Sequence, residues 1–179
     1  SYDPFFYPLD SIHNWYHMYG KRGFLQYQFV VPFEDGHYAM REILGRIRRS
    51  GEGSFLTVLK KFGDVQSPGM LSFPRPGLTL ALDFAYGGPK TLRLLEYLDQ
   101  IVLQSGGAVY PAKDARMSAE SFQAFFPRWQ EFSAYVDPQF SSSFWRRVTD
   151  NVAQGDKGQG DREGRPYNTT KRAAEQHSV

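Results

Sequence analysis

Two groups of residues in this sequence have the types and spacing to do chemistry. His13 and His17 stand four apart, the spacing that places two imidazoles on one helical turn as metal ligands, with Asp10 as a third donor. No Glu lies between them and the other histidines, His37 and His177, are distant in sequence, so histidines packed beside aromatic neighbours are the plainer reading and no metal is expected. The second group is Gln26, Gln28, Lys60, Phe62, Thr79, Asp83 and either Lys113 or its neighbour. Amides, lysines and one carboxylate would converge there if strands carried them onto one sheet face. The same residues also suit the solvated side of an ordinary sheet. Other chemistries are excluded by composition. The chain has no cysteine, hence no disulfide, thiolate zinc site, iron–sulfur cluster or cysteine nucleophile. It has no glycine-rich phosphate loop of the Walker or dinucleotide type and no Gly-x-Ser-x-Gly elbow.

Strands and helices able to position the second group are legible in the periodicity. Residues 24–31 alternate Leu25, Tyr27, Phe29 and Val31 against Phe24, Gln26, Gln28 and Val30, a strand with a polar second face closed by Pro32. Met40, Ile43, Leu44 and Ile47 form the apolar stripe of a helix over 37–49, stopped by Gly51 and Gly53. Strands follow at 54–62 and 78–84 around a Pro/Gly loop, with Leu78, Leu80, Leu82 and Phe84 alternating with Thr79, Ala81 and Asp83. Gly87-Gly88-Pro89 opens a second helix over 90–105, and a fourth strand is expected near 108–113. This order predicts an α+β fold: a split β-α-β, ferredoxin-like antiparallel sheet with both helices on one face, followed by a C-terminal helical segment. Ser118 can cap a helix through Phe126, Pro127 interrupts it, and 128–136 can continue helically. Residues 151–179 are rich in Gly, Gln and mixed charge, with Tyr167 the only aromatic, which predicts a disordered tail.

With 179 residues, 41% of them hydrophobic, the chain has the size and composition of one globular unit or slightly more. No apolar run approaches the roughly 20 residues of a membrane helix. The 21 basic residues nearly balance the 19 acidic ones, so the net charge of +2 gives no field that would gather nucleic acid. Arg22-Gly23-Phe24 with Phe29 loosely echoes an RNA-recognition signature, but on the first strand of the unit, where that signature does not belong. The chain opens at Ser1 within an aromatic cluster (Tyr2, Phe5, Phe6, Tyr7), from which a piece of a longer protein is expected.

Several segments in order resemble a known family. They are Phe6-Tyr7-Pro8-Leu9-Asp10, Gly20 through Pro32, Ser54-Phe55-Leu56, Lys60-Lys61-Phe62-Gly63, Leu71-Ser72-Phe73-Pro74, Leu82-Asp83-Phe84, Tyr110-Pro111-Ala112-Lys113-Asp114 and Val136-Asp137-Pro138. Together they resemble FAD-dependent oxidoreductases of the decaprenylphosphoryl-ribose 2'-oxidase kind, within the vanillyl-alcohol oxidase type, over about residues 5–148. The resemblance implies a substrate-binding cap domain in 1–107, a segment returning to the FAD-binding domain in 108–150, and an N-terminal FAD domain that this chain lacks. It implies oxidation of a sugar hydroxyl, with a sugar or glycosyl (polyprenyl) phosphate as substrate and hydride transfer to FAD. A partner reductase completing an epimerisation and a place in cell-wall biosynthesis follow from the same resemblance. The implied location is cytoplasmic, at most peripheral to a membrane. By residue, it places Tyr7, Gln28, Lys60, Phe62, Thr79 and Asp83 around the substrate, with Tyr110 and Lys113 on the returning strand beside the flavin. Lys113 would be the catalytic cation at the flavin carbonyl edge, while Lys60 as a charge and Gln28 as donor and acceptor would bind phosphate and hydroxyl oxygens. The resemblance does not identify the base that takes the hydroxyl proton; Tyr7 can fill that place, with Phe6 competing for it. Thr79 and Ala81 depart from the family pattern of Asn and Cys, which puts the sugar in doubt. A sugar-lactone or alditol oxidase and a non-enzymatic ferredoxin-like binding module are the alternatives.

Overall fold

The computed structural model describes residues 5–6 and 13–149. Tyr7, Asp10 and the tail 151–179 lie outside the described residues. Four strands, β1 (Phe24–Val31), β2 (Ser54–Phe62), β3 (Gly77–Ala85) and β4 (Ala108–Val109), form one antiparallel sheet in the order β2-β3-β1-β4. Helices α1 (Phe33–Ser50) and α2 (Pro89–Gln104) supply the crossovers, which is the split β-α-β arrangement that the element order predicts. Short helices α3 (Ala119–Phe125), α4 (Trp129–Ser133) and α5 (Ser143–Thr149) follow.

The alternation in β1 and β3 decides which face carries the core. Tyr27, Phe29, Val31, Leu80, Leu82 and Phe84 are buried with Ile43 of α1 and Leu94, Leu95 and Leu98 of α2, and Met117, Phe122, Phe125, Phe126 and Val148 belong to the same apolar cluster. Burying one such side chain stabilises by about 1.5–3 kcal/mol, so this shared interior dominates the folding free energy.

Local chemistry explains the boundaries. α1 begins four residues before the expected start because Pro32 precedes it and Glu34 and Asp35 favour its positive N-terminal end. Its buried stripe is Gly36, Ala39 and Ile43, which leaves Leu44 half exposed, contrary to the expected pattern. Pro89 occupies the first turn of α2, where its missing N–H costs nothing. Ser118 caps α3 by accepting the Ser121 N–H at 3.1 Å. The expected strand over 108–113 is corrected: pairing ends at Val109, and Pro111 opens a 3-10 turn, Pro111–Lys113, because proline cannot donate to a ladder. Gly107 lets β4 approach β1, since a Cβ there would collide with the Val30 carbonyl.

Candidate substrate-binding face

Pairing register sorts the polar side chains. Gln26 lies opposite Asp83, Gln28 opposite Ala81, Val30 opposite Thr79, Lys60 opposite Thr79, and Phe62 opposite Gly77. Directly opposed residues share a face. Tyr27, their alternate on β1, donates its hydroxyl to Asp99 of α2 at 3.0 Å, which fixes the helices on the other side. Gln26, Gln28, Lys60, Phe62, Thr79 and Asp83 therefore stand together on the face turned away from α1 and α2, as their alternation predicts.

Much of that face is covered rather than solvated. At one end Asp83, only 4% exposed, accepts from the Tyr19 hydroxyl at 3.1 Å and from Gln26 Nε2 at 3.1 Å. Tyr19 closes the 3-10 turn Trp15–Tyr19 and stacks on Phe24 at 4.2 Å. Four residues along β3, about 13 Å by strand rise, Gln28 Nε2 donates to Thr79 Oγ1 at 3.1 Å, and both residues are buried. Beside them Phe73, from the loop between β2 and β3, stacks on Tyr110 at 4.6 Å and meets Phe62 edge-on at 6.0 Å. Buried polar groups must find such partners or cost about 1–3 kcal/mol each. The result is two polar pairs separated along the sheet, with an aromatic trio at the second.

The cations sit at the margins. Lys60 is exposed, Lys113 is half exposed, and neither makes an ion pair among the described residues. Lys113 ends the 3-10 turn rather than lying on a strand, which corrects the placement implied by the resemblance. Tyr110 N–H donates to the Gln28 carbonyl at 2.7 Å, so the turn springs from the edge of the polar face. Asp114, next in sequence, pins it: the carboxylate accepts from the N–H groups of Arg116 at 3.0 Å and Met117 at 2.8 Å, and from Arg147 at 2.7 Å.

Tyr19 and Phe73 belong to this face as well, although the sequence does not mark them as site residues. Phe73 falls in the Leu71–Pro74 segment that carries the family resemblance, but neither residue has a periodic signal that assigns it to this face. Burial first, then the neighbouring Asp83 charge, raises the Tyr19 pKa above the usual tyrosine value, so the phenol stays a donor at neutral pH. Tyr19→Phe is expected to cost about 1–3 kcal/mol in urea unfolding, since it strips a hydrogen bond from a buried carboxylate; an unchanged midpoint would show that the bond contributes nothing. His13 and His17 are exposed, and His13 precedes the 3-10 turn Trp15–Tyr19 that carries His17, so the two do not share one helical turn. Among the described residues no group of three or more His, Asp or Glu converges.

No protein-family model matches the chain. Over 153 residues it is 44% identical to decaprenylphosphoryl-beta-D-ribose oxidase of Mycolicibacterium smegmatis (strain ATCC 700084 / mc(2)155), covering 80% of this chain and 32% of the oxidase. The chain is a homologue of part of that oxidase. It is also 36% identical over 114 residues to an uncharacterized protein in the mprA 5' region of Streptomyces coelicolor, covering 61% of this chain and 31% of that protein. The chain thus spans about a third of the length of the curated relatives it matches. The likeness to decaprenylphosphoryl-ribose oxidase agrees with the resemblance carried by the Phe24–Phe29 and Ala112–Asp114 segments. None of the described helices is long and apolar enough to cross a membrane.

Proposed function

We propose that this chain is the substrate-holding part of a flavin-dependent oxidoreductase that oxidises a hydroxyl of a glycosyl phosphate, the glycosyl group carried on a polyprenyl chain. The observation that supports the reading most is the grouping of Gln28, Lys60, Phe62 and Thr79 on one partly roofed sheet face, in a chain 44% identical over 80% of its length to an oxidase of that substrate name. Residues 1–107 would form the cap, 108–150 a segment returning to a flavin domain encoded elsewhere in the same polypeptide, and 151–179 a tail.

The donor set fits one edge of a flavin. An ammonium without an ion-pair partner among the described residues, Lys113, lies three residues from the Tyr110 ring on a turn pinned by Asp114, which suits a carbonyl-bearing aromatic edge. Nothing among the described residues resembles a glycine-rich cradle for a pyrophosphate, so the rest of FAD would be held by the other domain. Bound FAD supplies the hydride acceptor. Lys113 would hold positive charge where negative charge develops, on a turn whose following backbone Asp114 anchors. Gln28, steadied by Thr79, donates to and accepts from sugar hydroxyls. Phe62 and Tyr110 exclude water.

The test uses a full-length oxidase carrying this segment, its flavin reduced anaerobically by a prenylphosphoryl riboside, an alditol or a sugar lactone. Bleaching of the visible flavin band by the riboside alone supports the reading; bleaching only by the alditol or lactone selects the alternative oxidase. Lys60→Ala is expected to raise KM about tenfold with kcat kept within about twofold, because a charge on phosphate contributes equally before and at the transition state. A fall in kcat with KM unchanged would remove Lys60 from substrate binding.

A further inference from the structure

The turn that carries Lys113 is anchored on both sides, and its second anchor comes from α5, 33 residues further along the chain. On the near side the Tyr110 N–H donates to the Gln28 carbonyl at 2.7 Å and the Tyr110 ring stacks on Phe73. Within the turn the Lys113 N–H reaches the Tyr110 carbonyl and the Asp114 N–H the Pro111 carbonyl, each at 3.2 Å, the long end of the usual range. On the far side the Asp114 carboxylate takes the Arg116 and Met117 N–H groups. Its side chain is 3% exposed, and a carboxylate so enclosed needs a counter-charge. Among the described residues Arg147 is the one cation that meets it. Arg147 also donates to the Met117 carbonyl at 3.2 Å and the Ala115 carbonyl at 3.4 Å, so a single planar guanidinium bridges residues 114, 115 and 117. The seating of α5 has other support: Val148 is buried, and Phe144 and Trp145 meet Phe122 edge-on at 5.5 and 6.2 Å.

We propose that Arg147 is a positioning residue for Lys113, acting through Asp114 from a helix that itself lies outside the polar face. Its influence on the reaction rests on the reading of Lys113 as the flavin-side cation; its hold on the turn does not. Without Arg147 the Asp114 carboxylate is left enclosed with no counter-charge, so it turns toward water and releases the two N–H groups it accepts from. The turn Pro111–Lys113 then keeps only its anchor at Tyr110, and the Lys113 ammonium spreads over more positions. Such a loss weakens an interaction realised in the transition state and leaves substrate binding nearly as it was. The competing role for Arg147 is structural, as a tie between α5 and the rest of the domain.

The experiment has one arm on the 179-residue chain and one on a full-length oxidase carrying this segment. In the chain, Arg147→Met is expected to speed amide hydrogen exchange at Lys113 and Asp114 about tenfold, with the β1 amides of Phe29 and Val30 exchanging as before. Arg147→Lys keeps the charge but not the planar fork, and gives a smaller increase. In the oxidase, Arg147→Met slows flavin reduction about tenfold at saturating substrate with KM kept within about twofold, and in a Lys113→Ala background it slows reduction no further. Arg146→Met is the control: the Arg146 guanidinium donates to the Ser141 carbonyl of its own segment at 2.6 Å, and its loss leaves both readouts unchanged. Unchanged exchange at Lys113 and Asp114 in Arg147→Met would overturn the proposal. Equally faster exchange at Phe29 and Val30, or equal slowing of reduction with and without Lys113, would overturn it too, since either is what a purely structural tie gives. A normal reduction rate in Lys113→Ala alone would sink the flavin-side reading instead, and the exchange arm would then decide whether Arg147 holds the turn.

Discussion

In a full-length oxidase carrying this segment, Lys113→Ala slows flavin reduction about a hundredfold at saturating substrate, the usual worth of about 3 kcal/mol for one preorganised electrostatic partner of a developing anion. The expectation rests on the turn that holds the lysine. Residues Pro111–Lys113 are short, proline-started and followed by an Asp114 carboxylate that takes two backbone N–H groups and Arg147. Anchoring the backbone beside the lysine limits the chain entropy lost when its ammonium is ordered, whereas a lysine on a free loop would lose more. Stopped-flow loss of flavin absorbance checks it. Reduction at near-normal rate in Lys113→Ala would place the lysine away from the reacting atoms, and the proposed mechanism would fail with it.

The largest expected loss of stability belongs to Arg116→Met. Arg116 grips Asp99 with two bonds of 2.7 Å and donates to the Leu95 carbonyl at 3.3 Å, while Asp99 also accepts from Tyr27. Burial opposes the Arg116 charge, but the hydrogen bonds and attraction of Asp99 outweigh it, so its pKa stands above the usual arginine value. Burial and then the Asp99 charge raise the Tyr27 pKa well above the usual tyrosine value, keeping it a donor. Removing Arg116 leaves a carboxylate whose side chain is 2% exposed without its counter-charge, which costs about 3–5 kcal/mol. For a domain of this size that lowers the melting midpoint by about 10 °C. Replacing the whole set, Tyr27→Phe with Asp99→Leu and Arg116→Met, is expected to recover most of the loss, because no buried polar group is then left unpaired. A drop under about 2 °C in the single variant would show that water reaches Asp99.

The same network marks where sequence reading stops. Strand and helix identity follow from periods of 2 and 3.6, which are local, and the alternation over Phe24–Val31 and Gly77–Ala85 assigns Gln26, Gln28, Thr79 and Asp83 to one face before any pairing is known. Pro89 after Gly88 and Ser118 before Ala119 are likewise local chemistry, and they mark the helix starts correctly. Leu44 shows the limit within one helix. The spacing of Met40, Ile43, Leu44 and Ile47 allows a stripe, yet packing against the sheet centres burial on Gly36, Ala39 and Ile43.

What covers the polar face is decided only in three dimensions. The Tyr19–Asp83, Gln28–Thr79 and Tyr27–Asp99 hydrogen bonds join residues 64, 51 and 72 apart in sequence. Such contacts depend on where loops close and which edge a turn crosses, and loop closure changes too slowly with length for residue spacing to encode it. Periodicity therefore determined which side chains share a face and which residues start and stop each element. Tertiary packing alone determined that Tyr19 and Phe73 cover that face and that Lys113 stands on a pinned turn rather than a strand, because each of these is a meeting of segments whose local patterns are independent of one another.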